Sequence, residues 1–168
     1  MKLETVRLQL IPLNEAHLTD LKEILKDPEI MYAYPHPLSD KEVNEWYRRQ
    51  QTRYRNDGLG LEAVILKETG EMIGQAGLTM QIANGQSVLE VGYLFKKQYW
   101  HQGYATEIAQ ALVQYAFHEL KAKKVHAIIN DNNPASQRVA KRLGMQRIQS
   151  FTFNDMPHGL WQITRSGK

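Results

Sequence analysis

The chain has 168 residues, of which 42% are hydrophobic and 23% charged, and its formal net charge is +3. This length and composition are typical of a globular domain and exclude a disordered or fibrous chain. Because the sequence contains no cysteine, a disulfide framework, a thiolate metal site and a thiol nucleophile are excluded as well.

No apolar run reaches the ~18 residues that a membrane helix needs, and the N-terminus lacks the apolar stretch of a signal peptide. No shift in composition marks a linker. We therefore expect one domain over residues 1–168 and a cytoplasmic location. The mild positive charge is compatible with an anionic ligand such as a nucleotide.

The first 50 residues predict a strand followed by two helices. Alternation of apolar and polar residues from Val6 to Leu13 predicts a strand with one buried face. Asn14 is a helix cap, and the helix behind it carries one apolar side formed by Leu18, Leu21, Ile24 and Leu25. Ser39, with Glu42 three residues later, predicts a capping box for the second helix.

Three strands in series follow, over residues 61–67, 72–82 and 88–95. Turn residues separate them, and the pair Asn84-Gly85 is a strong hairpin signal because both residues tolerate positive φ. This segment predicts an antiparallel meander.

The clearest pattern in the chain is an apolar stripe that predicts a helix of about sixteen residues. Its members are Ala105, Ile108, Ala109, Leu112, Val113, Ala116, Phe117 and Leu120. A short apolar strand follows at 125–130, and another helix begins at Pro134 behind its cap Asn133 and ends at Gly144. Residues 145–155 and 159–164 predict a final pair of strands.

This order of elements predicts an α/β (α+β) domain with a mixed, largely antiparallel sheet of about seven strands flanked by about four helices. One strand–helix–strand crossover is expected, between residues 88 and 130.

The junction before the long helix, residues 98–106, combines a strand end with a helix start. Unpaired N–H groups at a helix N-terminus carry about half a unit of positive charge and suit a diphosphate. Gly103 would let the backbone approach such a ligand. An ordinary glycine turn explains this segment equally well.

Three segments together resemble the GNAT superfamily, and within it the branch of ribosomal-protein N-terminal (RimJ/RimL-like) acetyltransferases. They are residues 90–95 (EVGYLF), 99–107 (YWHQGYATE) and 133–145, which begins NPAS and ends RLGM. The resemblance covers essentially the whole chain. It implies the GNAT acyl-CoA N-acyltransferase fold and an enzyme that transfers acetyl from acetyl-CoA to a primary amine.

The resemblance also implies where coenzyme A binds. Gln98 and Gly103 match the first and last places of the family's phosphate-loop pattern, while His101 stands where its first glycine is expected, so the loop shape could differ. The main-chain amides implied to hold the pyrophosphate are those of His101, Gln102, Gly103, Tyr104, Ala105 and Thr106. Backbone groups around Leu94 and Phe95 are implied to pair with the pantetheine arm.

Asn133 and Ser136 have two interpretations. They form a plain helix cap, or, by resemblance, Asn133 bonds the coenzyme arm and the Ser136 hydroxyl protonates the leaving thiolate. Glu90, just before the coenzyme-binding end of its strand, is the candidate general base, although a solvent-facing glutamate is the alternative. Without a thiol nucleophile, direct attack by the amine in a ternary complex is expected.

Other hypotheses remain open. One is a coenzyme-A-binding module without catalysis, and another is a nucleic-acid-binding module that uses the arginines at 48, 49, 53 and 55. We expect no nucleic-acid or membrane partner, and a homodimer is the default assembly. The six histidines lack the spacing of metal ligands, so no metal is expected. The acceptor, a protein N-terminus or a small amine, cannot be chosen from the sequence.

Overall fold

One sheet organises the computed structural model, which describes residues 1–166. Within that range the sheet has eight strands: β1 Leu3–Glu4, β2 Leu8–Pro12, β3 Gly60–Leu66, β4 Met72–Ala83, β5 Gln86–Phe95, β6 Lys124–Asn130, β7 Gln146–Phe153 and β8 Met156–Thr164. The α-helices are α1 Leu18–Leu25, α2 Asp40–Asp57, α3 Tyr104–His118 and α4 Pro134–Leu143. Two short 3₁₀ turns occupy Glu15–His17 and Lys97–Tyr99.

The strand order is β1-β2-β3-β4-β5-β6-β8-β7, and every neighbouring pair is antiparallel except β5 with β6. The expected fold class and the β5–α3–β6 crossover are therefore confirmed. The expected strand count of about seven is close to the eight found. The additional strand, β1, has two residues, which is too short for its alternation to be recognised.

Local capping signals set the element ends as expected. The Ser39 hydroxyl accepts from the Glu42 N–H at 3.2 Å, and the Glu42 carboxylate accepts from the Ser39 N–H at 3.0 Å. Asn84 and Gly85 both have positive φ, 50° and 80°, which makes the β4–β5 connection a tight hairpin turn. Both predictions are confirmed.

The final hairpin differs from the expectation of a break between residues 155 and 159. The turn instead lies at Asn154 and Asp155, whose φ angles are 52° and 61°, and β8 already begins at Met156. Pro157 and Gly159 suggest a loop by residue type, but both pair with β7. Asn and Asp tolerate the left-handed conformation, so this dipeptide turns the chain without glycine.

The sheet separates two apolar layers because alternate residues of a strand point to opposite faces. In β3, Val64 and Leu66 pack in the layer that includes α3, whereas Ala63 and Ile65 pack in the layer that includes α1 and α2. The predicted stripe of α3 is buried from Ile108 to Phe117, while Leu120 lies beyond the helix end and is exposed. Strands β3 and β4 thus have helices on both faces.

A buried lysine fixes the end of β5. Lys96, only 3% exposed, follows the last residue of β5, and its Nζ lies 2.8 Å from Asp20 Oδ1 and 3.0 Å from Glu23 Oε2. Glu71 Oε1 is 3.7 Å away. These ion pairs tie α1 to the segment that leads into α3.

We expect Lys96→Met to lower the free energy of unfolding by about 1–3 kcal/mol, because it leaves carboxylates without their cation while these remain partly hydrated. Lys97→Met is the matched control, since Lys97 is 40% exposed and its pairs with Asp27 and Glu29 lie at the surface. Urea unfolding measures both. Equal effects of the two substitutions would contradict this account of Lys96.

Candidate active site

A gap opens between β5 and β6. The two strands pair at Glu90 and His126, while β6 is paired along its other edge with β8 from Lys124 to Asn130. Within residues 1–166 no second β5–β6 pair is formed. The strands therefore separate toward the C-terminal end of β5, where main-chain groups are left for a ligand.

The backbone groups of β5 that face this gap follow from the ladder. The Lys96 N–H donates to the Ile73 carbonyl at 2.9 Å, on the β4 side. Because an antiparallel ladder alternates, Leu94 also bonds β4, whereas the main-chain groups of Tyr93 and Phe95 point to the gap. The Phe95 carbonyl accepts from the Trp100 indole at 2.9 Å. The main-chain groups left for the predicted contact with the pantetheine arm are therefore those of Tyr93 and the Phe95 N–H. Leu94 contributes its side chain to the wall of the gap.

The turn before α3 presents a row of free amides. Gly103 is the N-cap, with φ 83° and no side-chain capping bond. None of the N–H groups from residue 101 to residue 106 has an acceptor within the described part of the chain. Unpaired amides at the positive end of a fifteen-residue helix fit an anionic ligand such as a diphosphate.

His101, the departure from the expected glycine, has φ 61°. This left-handed region favours glycine, but histidine enters it more readily than most residues. His101 and Gly103 thus both have positive φ, a backbone conformation that occurs in turns whose consecutive amides can bind an anion. The imidazole therefore does not prevent the turn from forming.

A clamp from the bend between β1 and β2 holds this turn. Arg7 Nη1 donates to the Gln102 carbonyl at 3.0 Å, and Arg7 Nε lies 2.7 Å from Glu107 Oε1. The Thr5 hydroxyl adds a 2.6 Å bond to Glu107 Oε2. The Arg7 guanidinium also stacks 4.3 Å from the centroid of the Tyr104 ring. The first turn of α3 is thus positioned by residues about a hundred places earlier in the chain.

A cavity of about 1080 Å³ runs along the gap. The predicted site residues that line it are Glu90, Leu94, Phe95, His101, Gly103, Tyr104, Ala105, Thr106, Asn133 and Ser136. Gln102 does not line it, since its side chain folds back to the Gln98 carbonyl at 3.0 Å. The structure therefore brings the two candidate catalytic residues and the candidate phosphate turn to one cavity.

Glu90 lies where β5 and β6 separate. Its Oε2 accepts from the Ile128 N–H at 3.3 Å. Burial raises the pKa of Glu90 to about 7, against the opposing effects of this hydrogen bond and of the Arg53 charge. A carboxyl group with a pKa near neutrality can accept a proton from an amine and release it again.

Three hydrogen-bonding side chains meet on the opposite wall. Asn133 Oδ1 accepts from the Ser136 N–H at 3.1 Å, which is a helix cap, and Asn133 Nδ2 lies 3.1 Å from Ser136 Oγ. The Tyr93 hydroxyl lies 3.4 Å from the same Oγ, and burial raises the pKa of Tyr93 to about 12. Tyr93 therefore joins Ser136 as a neutral hydroxyl.

One face of α2 also lines the cavity, formed by Trp46, Arg49, Gln50 and Arg53. In the sequence, Arg49 and Arg53 belong to one basic cluster with Arg48 and Arg55, for which the only function suggested by the sequence is a nucleic-acid contact. Arg49, Gln50 and Arg53 follow Trp46 by three, four and seven residues, which places them on the same face of a helix. Arg48 and Arg55 do not have this spacing and do not line the cavity, so the spacing is the signal that could have separated the two pairs of arginines.

Residues 1–166 contain no group of three or more histidine, aspartate or glutamate side chains that could hold a metal ion. In the same range no helix is both long enough and apolar enough to cross a bilayer.

Residues 7–146 match the model of the acetyltransferase (GNAT) domain family. The chain is 35% identical over 162 residues to the uncharacterized protein YkkB of Bacillus subtilis, a match that covers 96% of this chain and 94% of that protein.

Solved structures share the fold. The acetyltransferase from Agrobacterium tumefaciens superposes with a TM-score of 0.84 at 24% identity, covering 98% of this chain and 95% of that one. RimL, a ribosomal L7/L12 alpha-N-protein acetyltransferase solved in complex with coenzyme A, gives a TM-score of 0.78 at 14% identity, with 98% and 97% covered. The family model matches most of the chain, the solved structures share its fold, and the free amides before α3 and the gap beside β5 agree with both. The chain therefore belongs to the GNAT family and is an acetyl-CoA-dependent acetyltransferase.

Proposed function

We propose that this enzyme transfers acetyl from acetyl-CoA to the nitrogen of a primary amine by direct attack within a ternary complex. The observation that supports this most is that the free amides before α3 and the Glu90 carboxyl line the same cavity. A diphosphate and an amine could therefore occupy one site together, which removes the need for a covalent enzyme intermediate.

The amides of residues 101–106 would hold the diphosphate, and the free groups of Tyr93 and Phe95 would pair with the pantetheine arm. Bound in this way, acetyl-CoA supplies an activated acyl thioester. Asn133 is engaged in capping α4 through Oδ1, so its contact to the arm would come from its remaining hydrogen-bonding capacity.

Glu90 is proposed as the base. A primary α-amine has a pKa of about 7.8, so a carboxylate that titrates near neutrality can take its proton with little energetic cost. The neutral nitrogen forms its bond to the acyl carbon as the carbon–sulfur bond breaks, and the acylated nitrogen then gives up one proton. Ser136 or Tyr93 gives a proton to the departing sulfur and is reprotonated by the proton that the nitrogen loses, since both hydroxyls are protonated at neutral pH.

Glu90→Gln should lower kcat by about 10²–10³-fold, because the amide cannot take a proton. Wild-type kcat should fall as the pH drops through about 7, where Glu90 becomes protonated, and this limb should be absent from the Glu90→Gln profile, so that it remains in the ratio of the two profiles. Taking this ratio cancels the titration of the amine, which affects both enzymes equally. Unchanged kcat across pH 6–8 would contradict the role of Glu90.

The fold should survive this substitution. Glutamine can still accept from the Ile128 N–H, and the raised pKa of Glu90 means that its charge destabilises the folded state as the pH rises above the unfolded value of 4.5. At pH 8 the variant should therefore unfold at a temperature no lower than the wild type, and its Kd for coenzyme A should be unchanged.

Gly103→Ala should weaken coenzyme A binding about tenfold, because a Cβ at φ 83° strains the turn whose amides face the diphosphate. Gly58→Ala is the matched control, with φ 68° at the end of α2 and open space around it. Both changes should destabilise the fold by about 1 kcal/mol. In isothermal titration with coenzyme A, only Gly103→Ala should bind more weakly than the wild type. Equal affinities of the two variants would contradict the proposed role of the turn in binding the diphosphate.

Ser136→Ala and Tyr93→Phe should distinguish the proton donor. The donor's removal should lower kcat by about 10²-fold with little change in the Kd for coenzyme A, whereas loss of the other hydroxyl should have a smaller effect. Single-turnover thiol release measures both. If neither variant slows this step, the sulfur takes its proton from elsewhere.

A further inference from the structure

The proposed function does not specify the amine. The residues of the cavity wall beyond Glu90 indicate its chemical class. This part of the cavity, the acceptor end, is lined by Tyr34, Trp46, Arg49, Gln50, Arg53 and Gln75. The phosphate turn lies at the other end of the same cavity. Whatever group accompanies the amine must satisfy the polar atoms of the acceptor end.

Two arginines of the acceptor end have no carboxylate partner. In the described part of the chain, arginine ion pairs are formed by Arg7 and Arg147, and neither Arg49 nor Arg53 forms one. Arg49 and Arg53 lie one turn apart on α2, with the Arg49 guanidinium 6.0 Å from the centroid of the Trp46 ring. An anion between them would relieve the repulsion of two neighbouring cations.

Arg53 is the more constrained of the two. It is half-buried, and its Nη1 donates to Gln50 Oε1 at 3.3 Å. Burial and the charge of Arg49 lower the pKa of Arg53, while Glu90 and Asp57 act in the opposite direction. Arg53 and the proposed base Glu90 line the same cavity, so a cation and the base face one bound molecule.

Buried amides beside these arginines add unmatched donors. Gln50 and Gln75 are both 0% exposed, and the Nε2 of each has no hydrogen-bond partner in the described part. Their oxygens are already used, because Gln50 Oε1 accepts from the Leu61 N–H at 3.0 Å and Gln75 Oε1 accepts from the Trp46 indole at 3.0 Å. This end therefore offers donors in excess and requires acceptor oxygens.

We propose that the acceptor is a small primary amine that also bears a carboxylate, as a free amino acid does, with the carboxylate on Arg53 and Arg49 and the amine at Glu90. The proposal rests on the acetyl transfer proposed above. Planar guanidinium groups bind carboxylates with paired hydrogen bonds. The buried amides favour a small molecule that can enter the pocket over a polypeptide that would lie at its mouth.

The test compares amines with and without a carboxylate next to the reacting nitrogen. Wild-type enzyme is assayed by thiol release from acetyl-CoA with free amino acids, their carboxamides, spermidine and a peptide with an acidic second residue. Amino acids should exceed their carboxamides at least tenfold in kcat/KM. Arg53→Gln should lower kcat/KM for amino acids about 30-fold more than for the carboxamides, because loss of the charge-assisted contact affects amino acids alone, whereas loss of the Arg53 charge beside Glu90 affects every amine.

Arg48→Gln is the matched control, since Arg48 lies on α2 but does not line the cavity. It should behave as wild type with every amine. Thermal unfolding and the Kd for coenzyme A establish that the variants fold and hold the coenzyme. Binding of N-acetyl amino acids to the coenzyme-A-loaded enzyme provides a readout independent of turnover, and Arg53→Gln should abolish it.

The two proposals fail in different ways. If coenzyme A binds but no amine of the panel is acetylated, acetyl transfer to this class of acceptor fails, and the N-acetyl amino acid titration still decides whether the arginines hold a carboxylate. If carboxamides or spermidine react as well as amino acids, or if Arg53→Gln affects all amines equally, the carboxylate assignment is overturned while the enzyme stands. A clear preference for the acidic peptide would overturn the small-molecule assignment.

Discussion

The hydrogen bond from the Ile128 N–H to the Glu90 carboxylate lies where the two parallel strands stop pairing, and the whole site depends on that separation. If β5 and β6 continued as a regular ladder, the main-chain groups of Tyr93 would be consumed by the sheet. Glu90 instead satisfies one amide of β6 with its side chain, and the cavity opens beyond it. The residue proposed as base is thus also the residue that terminates the pairing.

The polar groups along this cavity are unbalanced in a way that a stable fold alone does not require. Buried polar atoms are normally paired, yet the Nε2 atoms of Gln50 and Gln75 lack partners within residues 1–166, and the half-buried guanidinium of Arg53 has no carboxylate there. Elsewhere the chain pairs even its buried lysine, Lys96, with several carboxylates. These three unmatched groups all line the end of the cavity where a carboxylate is proposed to bind.

Local patterns predicted local structure well. The stripe of α3, the Ser39 capping box and the Asn84-Gly85 turn depend on residues close in sequence, so composition and spacing suffice to find them. The insertion of β8 between β6 and β7, the unpaired edge of Tyr93 and the inward face of α2 depend on distant partners. The sequence alone does not distinguish Arg53 from a surface arginine, because only the position of α2 over the sheet shows which of its arginines line the cavity.

The shape of the turn before α3 depends on Arg7 and Thr5, which bind Glu107 from a distant part of the sequence. These contacts span 100 and 102 residues, so the turn is held in shape only after β2 has joined the sheet beside β3. Contacts at such separations form late, because closing the intervening loop costs entropy first. A nascent or partly folded chain should therefore bind coenzyme A weakly. The affinity for coenzyme A would then report how completely the chain has folded.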